Sequence, residues 1–510
     1  MAEGTMYPIN IRPGIRRDGT TFASRYYIDG QWTRFRNGVP RKMGGYKVIT
    51  ELPSIPRGIY VAPLSSGFKI FIGLYDSLLT QEIDKDGVAI GALIDRTPVG
   101  FSVDANNLWQ FAQMSDTGGD GSAVIAHAAP NLASIGSDVE TPVYYGFVDD
   151  DAVFEATPVS VSGGIAVLPP FLMVFGNNGN IKWSDPNDPT TFPAANDVFI
   201  PSQKIVAGFP ARAGTASPGG LFWSLNNLIR ATFNPNPDGS PNFRFDTVSG
   251  QCSILSSSSI VESEGIFFWA GSKNFYCYTG ALQELQNQLN LDFFYYNNPI
   301  TDSGLNKDEQ QKVWATKVGQ FGEIWWHFPK GVNGEDSHAV IYNKRDNTWY
   351  DTAISRSCGY FEQSFKDPIW ADSDINENDK FYLWHHESGI NQNIFGEITP
   401  INSYFETGDI SWCAVGPMGD WVGRNRQVDL YRVEPDLIQT GEIEMFINGR
   451  AYARSSVDTT GPYTITPTTQ KVDLRQQRRQ MTLRFVSNEI DGFFEMGQTM
   501  LDLRIGDERP

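Results

Sequence analysis

The sequence predicts a mainly β protein: an irregular β-propeller-like body with an N-terminal arm before it and an antiparallel β unit after it. Three observations carry this. Aromatic-rich strand, turn, strand segments recur at near-regular spacing; helical periodicity is scarce; and 49 Gly and 30 Pro in 510 residues, with 40% apolar residues, supply many turns and enough core. The length divides as 1–58 (arm), 59–405 (body) and 406–510 (C-terminal unit).

The arm contains RYYIDGQWTRFRNGVPRKMGGYKVI (25–49), in which Trp32, Phe35 and Tyr46 stand among Arg34, Arg36, Arg41 and Lys42. Trp, Tyr and Arg dominate binding energy at protein interfaces, so these seven residues are read as an assembly surface for an acidic partner ring or a neighbouring subunit. Two other readings stay open: an exposed hairpin with solvated charges, and a single-stranded nucleic-acid contact, for which no binding-fold signature is present.

In the body, FLMVFGNNGNIKW (171–183), LFWSLNNLIRATF (221–233), IFFWAGSKNFYCY (266–278), IWWHFP with AVIYNKRDNTWYD (324–351), and FYLWHHESG (381–389) read as hairpins. Their starts lie 50, 45, 58 and 57 residues apart, near the roughly 40–50 residues of a four-stranded propeller blade. FKIFIGLYDSLLTQEID (68–84) and NLWQFAQ (107–113) add one or two blades. A pair of β-sandwiches would use similar hairpins. The best helical candidate is GALQELQNQLNLDFF (280–294), with Leu282, Leu285 and Leu289 at i, i+3, i+7. In the last hundred residues QMTLRFVS (480–487) and LDLRIG (501–506) alternate with period two, as half-buried strands do.

Charge is uneven. Residues 1–60 hold ten Lys/Arg against four Asp/Glu, 420–510 twelve against fourteen, and the stretch between 18 against 41, so the middle carries −23 of the net −19. So acidic a surface repels phosphate backbones. The start, MAEGTMYPIN, has no export signal, and the longest near-apolar run, IAVLPPFLMVF (165–175), is too short for a membrane anchor. Cys252, Cys277, Cys358 and Cys413 form no CxxC and read as free thiols of a reducing cytosol.

Catalytic signatures fail in turn. Phosphate-binding loops, nucleophile elbows and HExxH are absent, and His127, His327, His338, His385 and His386 sit by predicted strands and turns, where a propeller could bring His327 and His338 together but strand-edge histidines are more often structural. DSDINENDK (372–380) starts like a calcium loop but lacks the Gly and the final carboxylate. WSDPNDPTTF (183–192) and SDTGGDGS (115–122) lack the order of sialidase Asp-boxes. No enzyme, cofactor or metal is expected.

Two stretches carry a family resemblance. RPGI (12–15), DGQWTRFRNGVPRKMGGY (29–46) and WSDPNDPTTF resemble the start of tail nozzle proteins of short-tailed bacteriophages, the group of tail tubular protein B and packaged-DNA stabilisation proteins. HHESGIN (385–391), FETGDI (405–410) and RRQMTLRFVSNEIDGFFEMGQTMLDLRIGDER (478–509) resemble the closing strands of such proteins. The resemblance implies a propeller body in a hexameric ring of the virion tail. The protein would be made in the host cytoplasm, dock on a head-to-tail adaptor ring, meet tail fibres or tip proteins, and pass double-stranded DNA without sequence-specific binding. The acidic middle is then the expected lining of the channel. The alternatives are a glycan- or receptor-binding module, or a glycan-hydrolysing propeller, at the tail tip.

Overall fold

The computed structural model describes residues 5–20, 24–115, 121–130, 139–201, 204–211, 219–296, 304–361, 367–411, 426–452 and 454–506. Cys413 and most of SDTGGDGS lie outside them. Among the described residues, seven antiparallel sheets form a ring of blades, at 56–95, 107–161, 164–199, 205–249, 260–285, 314–353 and 356–386. The first strand of each blade begins its sheet, and neighbouring first strands pack on one another around the ring, except between the fourth and fifth blades, which meet through a shared aromatic core, until Arg356–Tyr360 meets Pro56–Pro63. This is a β-propeller, and it is closed by a borrowed strand.

That strand is Tyr46–Leu52. It is made before the first blade, yet pairs with Phe381–His386 as the fourth strand of the seventh. Antiparallel sheets leave edges that invite wrong pairing, and joining the first segment of a ring to its last blade resists opening because several ladder hydrogen bonds must break together. The hairpin Asn391–Ile394 and Glu397–Pro400 extends this sheet outward.

The hairpins expected from sequence are the middle strands of blades. Phe171–Phe175 pairs with Asn180–Trp183, Gly219–Ser224 with Leu228–Phe233, and Ile266–Ala270 with Phe275–Tyr278. The first strand of each pair is buried along nearly its whole length because neighbouring blades cover both its faces, so each seam has its own aromatic core. Trp223 and Trp269, both within 1% of full burial, meet edge to face at 5.6 Å between the fourth and fifth blades, a pairing that adds roughly 0.5–1.5 kcal/mol beyond the buried area. Phe275, Trp326 and Trp349 fill the next seam.

The expected helix over 280–294 is largely absent. Leu282–Leu285 is the outer strand of the fifth blade, paired with Phe275–Tyr278, and only Leu291–Tyr295 is helical. The ladder offered by Phe275–Tyr278 satisfies that backbone, and three leucines at helical spacing do not outweigh it.

The remaining strands make a second body from both ends of the chain. One sheet runs Asp29–Gln31, Ser403–Glu406, Gln480–Ser487, Ile443–Arg450, Asp458–Ile465; a second runs Leu437–Thr440, Phe493–Met496, Val39–Lys42, Thr33–Arg36; a third runs Thr5–Pro8, Met500–Ile505, Val428–Glu434, Val472–Arg478. Met481, Leu483 and Phe485 are buried as their alternation predicts, with Phe485 stacked 5.2 Å from Phe405. The segment 1–58 is thus no free arm: most of its described strands belong to the second body's sheets or the propeller's closing sheet, while Arg12–Ile15 and Tyr26–Tyr27 pair with each other in a small parallel sheet whose Ile15 and Tyr27 join the second body's core. No helix among the described residues is long and apolar enough to cross a membrane.

Candidate functional site

The hairpin that carries most of the proposed assembly residues folds locally for a clear reason. Asn37 and Gly38 both take positive φ, 52° and 82°, the two-residue turn that matches strand twist. It joins Thr33–Arg36 to Val39–Lys42. The hairpin then lies across the second body, with one face pressed on the sixth and seventh blades.

Arg34 is 1% exposed and points into the propeller. Its Nε donates to Glu323 Oε1 at 2.9 Å and its Nη1 to Glu387 Oε2 at 2.9 Å, with further bonds from Nη2 to both carboxylates. The Phe321 ring lies 3.6 Å from the guanidinium carbon. Glu323 is fully buried and also accepts from Tyr350 Oη (2.6 Å) and Trp325 Nε1 (2.9 Å). Burial opposes the charge on Arg34, and the two carboxylates more than reverse that, so its pKa is raised.

The other expected interface residues divide. Trp32 is buried, donating from Nε1 to Gly44 O at 3.0 Å, and Phe35 is buried between Tyr27 and Tyr350. Lys42 is buried with no hydrogen-bond partner for Nζ, and burial pulls its pKa down to about 8. Tyr46 is half-buried against Trp32 and Trp384. Arg41 pairs with Glu495 at 3.2 Å at the surface of the second body, and Arg36 is exposed. As an assembly surface for another protein, the expectation is therefore corrected for Trp32, Arg34, Phe35 and Lys42: the first three fasten the two bodies of one chain through Thr352, Glu323 and Tyr350 of the propeller, and Lys42 is buried opposite Thr33 in its own hairpin.

Sequence reasoning missed the other half of this latch. Arg17 bridges Asp29 and Asp351, at 2.5 and 3.0 Å. Asp18 accepts from the backbone N–H groups of Asp292 and Phe293, both at 2.9 Å, capping the short helix that has no side-chain cap of its own. The only signal for these contacts was the Arg-rich composition of the arm; apart from Asp29, twelve residues on, their partners lie more than 270 residues away.

The propeller's first strands carry little charge: Glu262 against Arg57, Lys317 and Arg356. The acid of the middle segment lies on outer strands and loops, as at Asp86, Asp149, Asp197, Asp238, Glu284 and Asp308, all exposed. An acidic lining along the propeller's own axis is therefore not what this fold provides.

The histidines do not assemble a centre. His327 and His338 occupy adjacent strands but face opposite ways, since His327 stands opposite Ala339 and His338 opposite Phe328. His327 is stacked on Trp314 at 4.1 Å with neither ring nitrogen hydrogen-bonded, and burial holds it neutral. In DSDINENDK, Asp372 pairs with Arg356 while Asn376 Oδ1 accepts from Asn378 and Lys380 N–H, closing the loop on itself. No group of three metal-ligating side chains occurs among the described residues.

No family model matches this chain, and no curated protein matches it. Solved structures that it resembles include the mitotic checkpoint complex (11% identity, TM-score 0.37, covering 66% of this chain and 97% of that one). The computationally designed Ika8 protein aligns at 11% identity and TM-score 0.34, covering 67% and 99%. BamB from Moraxella catarrhalis aligns at 10% and 0.33, covering 67% and 97%. Likeness at this level carries no functional argument, and the propeller is described from its own seven sheets.

Proposed function

We propose that this chain is a structural subunit of a virion tail nozzle, assembled as a hexameric ring that seals packaged double-stranded DNA and conducts it during ejection. The observation that carries the reading is the resemblance of both ends of the sequence to that family. Its support from the fold is that the two resembling stretches are hydrogen-bonded together, Asp29–Gln31 and Gln480–Ser487 each pairing with Ser403–Glu406. Such a body would serve as a block for ring contacts.

The charge distribution sets where DNA would run. Like charge costs energy in every register, so a wall of exposed carboxylates keeps a duplex centred without gripping it. Those carboxylates lie on the outer blade surfaces, so the conduit is the space enclosed between subunits of the ring. The adaptor ring and tail fibres would then meet the ends of that ring, and the sequence-independent passage of DNA needs no base-reading element.

Light scattering and negative-stain imaging of the purified chain, with and without its adaptor, test this. Six-fold rings in either condition are expected; a monomer in both conditions, together with particles that retain DNA when the protein is missing, would overturn it.

A further inference from the structure

A half-open cleft of about 230 Å³ lies among the first strands of the fourth to seventh blades, where those of the fourth and fifth do not pack on one another. Phe209, Phe267, Tyr360 and Phe361 supply its apolar walls, and Lys317 is the one cation among its described lining residues. Lys317 Nζ donates to Glu262 O at 2.9 Å but stands 3.8 Å from the Glu262 carboxylate, which also accepts from the Gly265 N–H at 2.6 Å. A cavity of roughly 150 Å³ already holds a benzene ring, so this one has room for an aromatic side chain. The three donors of Lys317 can also serve a second carboxylate.

An aromatic side chain with a carboxylate beside it stands unsheltered elsewhere on the chain. The hairpin Asn391–Ile394 and Glu397–Pro400 extends the seventh blade's sheet past the closing strand and ends in an open edge. Its two-residue turn is Phe395-Gly396, at φ 50° and 100°. Such turns favour Asn-Gly, because a bulky side chain resists positive φ. Phe395 holds that conformation nonetheless, is 64% exposed, and has as its one ring contact among the described residues Tyr382, 6.3 Å away. Ile398, 47% exposed, and the exposed Glu397 flank it. Strain and exposure together mark a side chain placed for contact rather than for its own fold.

We propose that the axial cleft receives Phe395 of a second copy of this chain, with Glu397 of the entering hairpin meeting Lys317. The charges are complementary, and the aromatic walls cover a ring that the lone chain leaves in water. Knob and cleft lie on different parts of the subunit, so the contact is head-to-tail. Each copy offers its hairpin to the next, and the series closes as a ring or runs on as a filament. This gives the proposed ring a specific contact and rests on that reading only for the number of copies that closes it.

The test is analytical ultracentrifugation of the full chain, with cross-linking from a benzophenone-bearing amino acid in place of Phe395, mapped by mass spectrometry in mixtures of isotope-labelled and unlabelled chains. Self-association is expected, with cross-links to peptides carrying Phe209 or Tyr360 of another copy. Phe395→Asn should weaken association about tenfold while its unfolding midpoint stays at or above the wild-type value, since Asn accepts positive φ more readily. Glu397→Lys should weaken it too, whereas Phe199→Ala, which removes a 66% exposed aromatic from the third blade, should not. A chain monomeric to about 100 μM, unchanged association of Phe395→Asn, or cross-links confined to other surfaces would each overturn the proposal. Six-fold rings that survive Phe395→Asn would end it and leave the nozzle reading standing; cleft-mapped assemblies of another number would do the reverse.

Discussion

Replacing Arg34 by Met should loosen the two bodies from one another far more than any surface substitution in the same hairpin. Met fills much of the side-chain volume, so the loss is electrostatic. Glu323 would keep the Tyr350 and Trp325 donors but lose its only charged partner while fully buried, and Glu387 would lose its bond from Nη1. Removing one partner of a buried pair costs about 3–5 kcal/mol, and the lost contact with Phe321 adds to it. Arg41→Ala, by contrast, breaks a half-exposed pair to Glu495 and should cost about 0–1 kcal/mol. Urea unfolding read by fluorescence, with limited proteolysis of the 25–45 segment, measures both. The triple change Arg34→Met, Glu323→Gln, Glu387→Gln should regain most of the loss, because no uncompensated charge remains. If Arg34→Met cost less than about 1 kcal/mol, or no more than Arg41→Ala, the latch would be a contact without energetic weight.

Three further outcomes follow from the same geometry. His327→Phe should be neutral or stabilising at pH 7, since both ring nitrogens are buried without partners. It should also flatten the acid limb: the unfolded histidine takes a proton below about 6.5 while the folded one, held well below that, does not, so wild-type stability falls as pH drops through this range and the variant lacks that slope. Thermal melts from pH 7 to 4.5 would show it, and parallel slopes would contradict it. Gly73→Ala should destabilise by about 1–3 kcal/mol, because its Cβ would sit 2.2 Å from Trp109 Cγ in the seam of the first two blades; an unchanged denaturation midpoint would show that Trp109 can move. Asp18→Ala should cost about 1 kcal/mol through the lost cap of Leu291–Tyr295, with amide exchange at Asp292 and Phe293 rising first.

The fold class is legible because propeller blades write their two middle strands as apolar hairpins with tight turns, and Phe171, Leu221 and Ile266 mark them at blade spacing. Outer strands are harder to see. Ala89–Asp95 and Glu155–Val161 are more than half exposed, and their inward residues, such as Leu93 and Val159, are only partly buried, so they stand out less than the aromatic middle strands. The closing role of Tyr46–Leu52 is not legible at all, because its partner is 330 residues on and pairing register leaves no local trace. The arm was misread for a related reason. Arg34 and Arg36 share one face of their strand, opposite Phe35, so alternation does not separate them; what buries one and leaves the other exposed is a pair of glutamates, Glu323 and Glu387, that reach Arg34 alone. The cleft at the closing seam likewise joins Trp384 and Asp374 of the seventh blade to Tyr46 from the chain's start, a meeting that the closed ring creates.

The borrowed strand also orders the protein's birth. On a ribosome, Tyr46–Leu52 leaves the tunnel early and then waits, unpaired, until Phe381–His386 has been made, and Thr5–Pro8 waits longer still for Met500–Ile505. Pairings at such separation are slow to form, and the waiting strands are open edges. The ring can therefore close only after Phe381–His386, about three-quarters of the way along the chain, has emerged, so the waiting strand must be kept from pairing with another copy until its own last blade is made.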